Sequence, residues 1–139
     1  MAVLAACGGK SDPVDEFNTT TVTLPDGYVI RAEVMRKRED MMRGMMFRNS
    51  LAGDRGMLFV HGSPGKYTYY MYQVKIPLDI IWLDSRHKVV ELSENTPPCK
   101  TKASQCPLYG GNQEALIALE LPGGGAKKHG IRPGVTIEF

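Results

Sequence analysis

A single carboxylate stands inside an otherwise apolar run, Ile76-Pro77-Leu78-Asp79-Ile80-Ile81-Trp82-Leu83. Its type and setting invite chemistry, because a carboxylate in apolar company is costly unless it pairs with a cation or accepts backbone N–H groups. Arg48 is the first candidate partner, with Arg43 and Arg55 as alternatives, since a guanidinium can grip a carboxylate through two parallel hydrogen bonds. An Asp79–Arg48 pair would be purely structural, the favoured reading. The alternative is a binding or catalytic cleft, because perturbed carboxylates gather at functional sites.

Three further clusters could do chemistry. Tyr67, Tyr69 and Met71 fall on one face of an extended segment and Tyr70 and Tyr72 on the other. Ring faces at this density can line a sugar or apolar-ligand groove, although packing on both faces with hydroxyls at the rim is the favoured expectation. Met41, Met42, Met45 and Met46 recur at helical spacing, which pairs Met41 with Met45 and Met42 with Met46. Thioethers are soft ligands for Cu(I), but methionine is also an adaptable core filler, and packing is the expected role. His61, His87 and His129 lie far apart in predicted turns, without the spacing of a zinc site. No Gly-x-Ser-x-Gly elbow is present, Gly123-Gly124-Gly125 precedes too little helix to hold a phosphate, and Cys99 lacks an activating neighbour. No metal site and no cofactor are expected.

The elements that must position these residues read mainly as strands. Taking alternate residues puts Ile76, Leu78, Ile80 and Trp82 on one face and Pro77, Asp79, Ile81 and Leu83 on the other, so the run around Asp79 reads as a central strand covered on both sides. Pro77 fits only at its start. Thr19 to Leu24 and Tyr28 to Met35, separated by Pro25-Asp26-Gly27, form a hairpin. Lys37 to Met46 is the best helix, with acidic residues near its start and Gly44 to end it. Met57 to Val60 is a short strand, His61 to Gly65 a turn, and Lys66 to Val74 an aromatic strand. Lys88 to Leu92, Glu114 to Leu121 and Val135 to Phe139 complete the strands, with one helical turn at Ala126 to His129. The sum predicts a mainly β domain, a sandwich with jelly-roll character or a partly open barrel, carrying one or two short helices.

At 139 residues the chain is one domain with room for a real core. Seventeen basic and 15 acidic residues give a net charge of +2 with the basic residues scattered, which gives nucleic-acid binding little support. No run of apolar residues beyond residue 10 is long enough to span a bilayer.

Leu4-Ala5-Ala6-Cys7-Gly8-Gly9 resembles the lipobox of bacterial lipoproteins, in which the cysteine becomes the lipid-modified first residue of the mature chain. Only six residues precede Cys7, without a cationic or full apolar leader, which places Met1 downstream of the true start. Were Met1 the true start, the protein would be cytoplasmic with reduced thiols. With Cys7 lipidated, Cys99 and Cys106 remain as an even pair, spaced for a local disulfide in an oxidising compartment. That bridge would constrain residues 93 to 113, otherwise a long loop.

Several segments together resemble the domain of unknown function 192 family of bacteria and archaea. They are Gly44-Met45-Met46-Phe47-Arg48, similar to that family's Gly-Leu-Met-x-Arg, then Leu51, Gly56-Met57-Leu58-Phe59-Val60, Tyr70-Met71, Ile76 to Ile81, and Leu119-Glu120-Leu121-Pro122-Gly123. The resemblance implies a single β-rich, jelly-roll-like domain and no established activity. Where the family usually reads Trp-Met-Lys-Asn-Thr, this chain has Tyr70-Met71-Tyr72-Gln73-Val74, and Gly134-Val135 stands where Gly-Asp is common.

These readings predict a tether over residues 1–17 and one β-rich domain over 18–139. The protein is expected to be a periplasmic, lipid-anchored module that binds a small ligand or an envelope partner, touching the membrane through its anchor alone. Arg48, Tyr70, Met71, Gln73 and Asp79 are the candidate functional residues. An enzyme using Asp79 near Arg48 is the alternative, and a Cu(I)-handling protein the second.

Overall fold

The structure, a computed structural model, describes residues 18–139. The tether and Cys7 lie outside the described residues. Six strands form one mixed sheet in the order β1 (Thr19–Thr23), β2 (Val29–Met35), β3 (Arg55–Gly65), β8 (Ala115–Pro122), β5 (Leu78–Leu83) and β6 (Val89–Thr96). A two-stranded ribbon of β4 (Thr68–Tyr69) and β7 (Tyr109–Gly110) stands apart from it. The domain is mainly β with two short helices, as expected, and the sheet does not close into a barrel.

Every pair in the large sheet is antiparallel except β2 with β3. Parallel neighbours cannot be joined by a tight turn and need a crossover. Here the crossover is residues 36–54, and it carries α1 (Arg38–Arg43) across one face of the sheet. The parallel pairing is therefore what builds a roof over that face.

Strand β5 is buried along its whole length, and its alternation splits the core in two. Ile81 and Leu83 join Ile30, Leu58, Leu119 and Leu121 on one face, covered by α2 (Gly125–Lys128) and the C-terminal Ile131 and Ile137. Leu78, Ile80 and Trp82 join Met35, Met57 and Phe59 on the other, covered by Met45, Met71 and Val74. Each buried side chain of this size contributes roughly 1.5 to 3 kcal/mol, so both layers are needed to hold the sheet. Ribbon β4–β7 is pinned by Trp82, whose indole N–H donates to the Tyr67 carbonyl at 2.9 Å. Gly110 sits on the same ring with φ +78°, and a Cβ there would fall 2.2 Å from Trp82, so glycine is required.

Cys99 and Cys106 are disulfide-bonded, and the Cys99 amide donates to the Met71 carbonyl at 3.1 Å. The loop is thus tied both to itself and to the segment after β4.

Four local expectations are corrected. His61 to Gly65 continues β3 rather than turning, because pairing with β8 resumes at Gly65 opposite Ala115 after a bulge. Lys66 to Val74 is strand only at Thr68–Tyr69, since the left-handed Gln73 and the turn around it end the extended path. Helix α1 stops at Arg43 rather than Met46, where Gly44 takes a positive φ of 46° and Met45 drops into the core. Val135 to Phe139 contributes only isolated bridges, Thr23 with Glu138 and Lys88 with Thr136.

Candidate functional site

Asp79 does not pair with Arg48. Its Oδ1 accepts the amides of Asn95 (2.7 Å) and Gly124 (3.1 Å), and its Oδ2 accepts that of Ala126 (2.8 Å). It lies between Leu78 and Ile80 and therefore faces the α2 side of the sheet. With its side chain fully buried, it ties the β8–α2 connection to β5. The favoured Asp79–Arg48 pair is thus corrected: backbone amides satisfy Asp79, and Arg48 meets Glu33 instead.

Both Arg48 guanidinium branches donate to Glu33, Nη1 to Oε2 and Nη2 to Oε1 at 2.9 Å. Glu33 is 1% exposed, so the pair is a two-point grip on a buried carboxylate. Register then fixes a second carboxylate beside it. Glu33 pairs with Met57 on β3, Met57 with Glu120 on β8, and Glu120 with Ile80 on β5. Residues directly opposite share a face, so Glu33 and Glu120 point to the α1 side about 10 Å apart at the backbone, two strand spacings.

Glu120 is 5% exposed, and its Oε2 is buried with no hydrogen-bond partner among the described residues. Burial pushes its carboxyl up to about 8, with the Arg48 guanidinium pulling the other way. At neutral pH Glu120 is therefore mostly a neutral acid, able to donate an O–H.

A cleft of about 410 Å³ opens over this residue, beneath α1. Phe59, Met45 and Glu120 form its buried end, and the exposed Arg36, Arg38 and Arg43 stand at its mouth. Gly44 closes one side, where a Cβ would lie 3.2 Å from the Phe59 ring. His61 and Tyr69 line another side, with Tyr69 Oη 2.7 Å from His61 Nε2. Burial lowers the His61 pKa, while burial and the charge of Glu120 raise that of Tyr69. Both rings are then neutral near pH 7, and they share this hydrogen bond. His61 is further fixed by stacking on Tyr67, with ring centroids 3.5 Å apart.

Of the residues singled out from sequence, Tyr70 lines the cleft, Arg48 is bonded to Glu33, Met71 is core, and Asp79 is on the opposite face. Gln73 is exposed and left-handed, φ 58°, and its carbonyl accepts the amide of the equally left-handed Phe47 (φ 67°). The methionines Met41, Met42, Met45 and Met46 do converge on the cleft wall. Glu120 and Glu33 escaped the sequence reading, though the signal was present. Each is a lone carboxylate in an apolar strand, the criterion that singled out Asp79.

The fold and this face define a class: a single mixed-sheet β domain with a basic-rimmed cleft over paired buried carboxylates. The chain belongs to the domain of unknown function 192 family, described as Uncharacterized ACR, whose pattern matches residues 21–139. A solved protein of unknown function from Novosphingobium aromaticivorans is 30% identical, with a TM-score of 0.81 over 92% of this chain and 90% of that one. A Sinorhizobium meliloti protein, provisionally named a transcription regulator, is 24% identical, with a TM-score of 0.78 over 88% of this chain and 94% of that one. At that identity the likeness shows the fold alone. No curated protein matches the chain.

Proposed function

We propose that the domain is a small-ligand-binding module, lipid-anchored in the periplasm through Cys7, with the cleft beneath α1 as its site. Glu120 at the buried end of that cleft, with an Oε2 that has no hydrogen-bond partner among the described residues, carries the reading. A buried polar atom without a partner costs about 1 to 3 kcal/mol, and a bound ligand would remove that cost. Glu33 is the internal control, equally buried on the same face but satisfied by Arg48. The volume and mixed apolar and polar lining suit a small molecule. Arg36, Arg38 and Arg43 at the mouth disfavour a cation, so the methionine wall supports an organic ligand over Cu(I). The disulfide and the lipobox resemblance support the compartment.

The neutral dye N-phenyl-1-naphthylamine tests the site. A saturable rise in its fluorescence, removed by Met46→Trp with an unchanged circular dichroism spectrum, is the expected result. A dye signal indifferent to that substitution, or no saturable signal, sinks the reading. Palmitate labelling of the protein in its host, lost in Cys7→Ser, tests the anchor.

A further inference from the structure

The two ends of the cleft ask for different chemistry. At the mouth stand three exposed guanidinium groups, Arg36, Arg38 and Arg43. At the buried end stands one acid, Glu120, whose Oε2 has no hydrogen-bond partner among the described residues. Between them the wall is apolar, formed by Phe59, Met41, Met45 and Val74.

The groups acting on Glu120 decide which form of it a ligand meets. Arg48, from the segment after α1, is already committed to Glu33 on β2 by two hydrogen bonds. Tyr69 on β4 and His61 on β3 are neutral and bonded to each other, and Tyr67 donates to the Ser63 carbonyl. Its partners in register, Met57 on β3 and Ile80 on β5, carry no charge. No free cation therefore reaches Glu120 among the described residues, and an incoming one would have to pass the three arginines and enter the field of Arg48. A neutral acid is satisfied instead by an acceptor oxygen, to which its O–H donates.

Resting on the binding reading above, we propose that the cleft takes a small organic anion whose apolar body separates the anionic group from a carbonyl-type acceptor. The anion is held at the arginine mouth and the acceptor by protonated Glu120, which makes Glu120 a proton-linked specificity residue. Deprotonation above neutral pH removes the donor and places a carboxylate against the ligand's oxygen, so affinity falls as pH rises.

N-acetyl-L-phenylalanine is the probe, read by displacement of the neutral dye. It carries a carboxylate, an aromatic body and an acyl carbonyl. N-acetyl-L-phenylalaninamide lacks the anion, and L-phenylalanine replaces the acyl acceptor with an ammonium group. At pH 7 both should compete at least about tenfold more weakly, the loss of one charge-assisted contact. Arg43→Gln, an exposed change that spares the core, should weaken the probe and leave the amide unchanged. Between pH 7 and 9.5 affinity for the probe should fall about 30-fold if one proton near pH 8 is required, and Glu120→Gln, whose amide still donates, should bind the probe with a flat profile. Should Glu120→Gln fail to fold, the wild-type pH profile and the Arg43 variant still decide. Equal or better binding of the amide or of phenylalanine, a pH-independent wild type, or a bound dye that the probe cannot displace would each overturn the assignment. The last of these leaves the binding site standing, whereas failure of the dye itself removes the underlying reading.

Discussion

Glu33 and Glu120 stand in register on either side of Met57, buried on the same face of the sheet, yet Arg48 serves only Glu33. One carboxylate is thereby a structural anion and the other a mostly neutral acid. Different partners give two like groups different roles.

The Glu33–Arg48 pair should be expensive to break and cheap to replace. Arg48→Met leaves Glu33 buried and uncompensated, and should lower stability by about 3 to 5 kcal/mol. Changing Glu33 to Gln in the same chain should recover much of that loss. Urea unfolding of the single and double variants measures both, and an additive double variant would show the pair to be uncoupled.

Glu120 makes stability depend on pH in an unusual direction for a carboxylate. Its folded value, about 8, lies above the ordinary 4.5, so between these limits the native state holds a proton that the unfolded chain has released. Stability from this group is therefore full below about pH 4.5, declines by at most about 1.4 kcal/mol per pH unit, and levels off above about 8. Urea midpoints of wild type and Glu120→Gln at pH 5, 7 and 9 should diverge in favour of the variant as pH rises. A constant difference would place Glu120 in water.

Asp79 is predicted to be structural. Asp79→Ala strands the amides of Asn95, Gly124 and Ala126 and should lower stability by about 3 to 5 kcal/mol. Asp79→Asn keeps acceptor capacity on one oxygen and should cost less. Dye binding to the cleft on the opposite face should be unchanged in whichever variant folds, and loss of binding from a folded variant would contradict the separation of the two faces.

Reduction of Cys99–Cys106 should lower stability by about 2 to 3 kcal/mol, the chain-entropy value for a loop closed over a separation of seven residues. Thermal unfolding with and without reductant reads this directly. Mass spectrometry of unreduced peptides from protein purified without reductant should find the bridge, and two freely alkylatable thiols there would refute it.

What the sequence determined was local and periodic. Alternation in Leu78–Leu83 marked a strand covered on both faces, because a period of two assigns each side chain to a face before any partner is known. Spacing, with Cys7 set aside, paired Cys99 with Cys106, and Pro25-Asp26-Gly27 joined β1 to β2. What only the tertiary structure decided was which charge meets which. Asp79 and Arg48 each needed a partner, but β5 and the α1 crossover present them to opposite faces, so Asp79 took backbone amides and Arg48 took Glu33. Glu120 became the unsatisfied acid because β8 lies between β3 and β5, a neighbourhood set by pairings across some 40 to 60 residues of chain. Local periodicity carries no information on such pairings, and they are where the cleft is made.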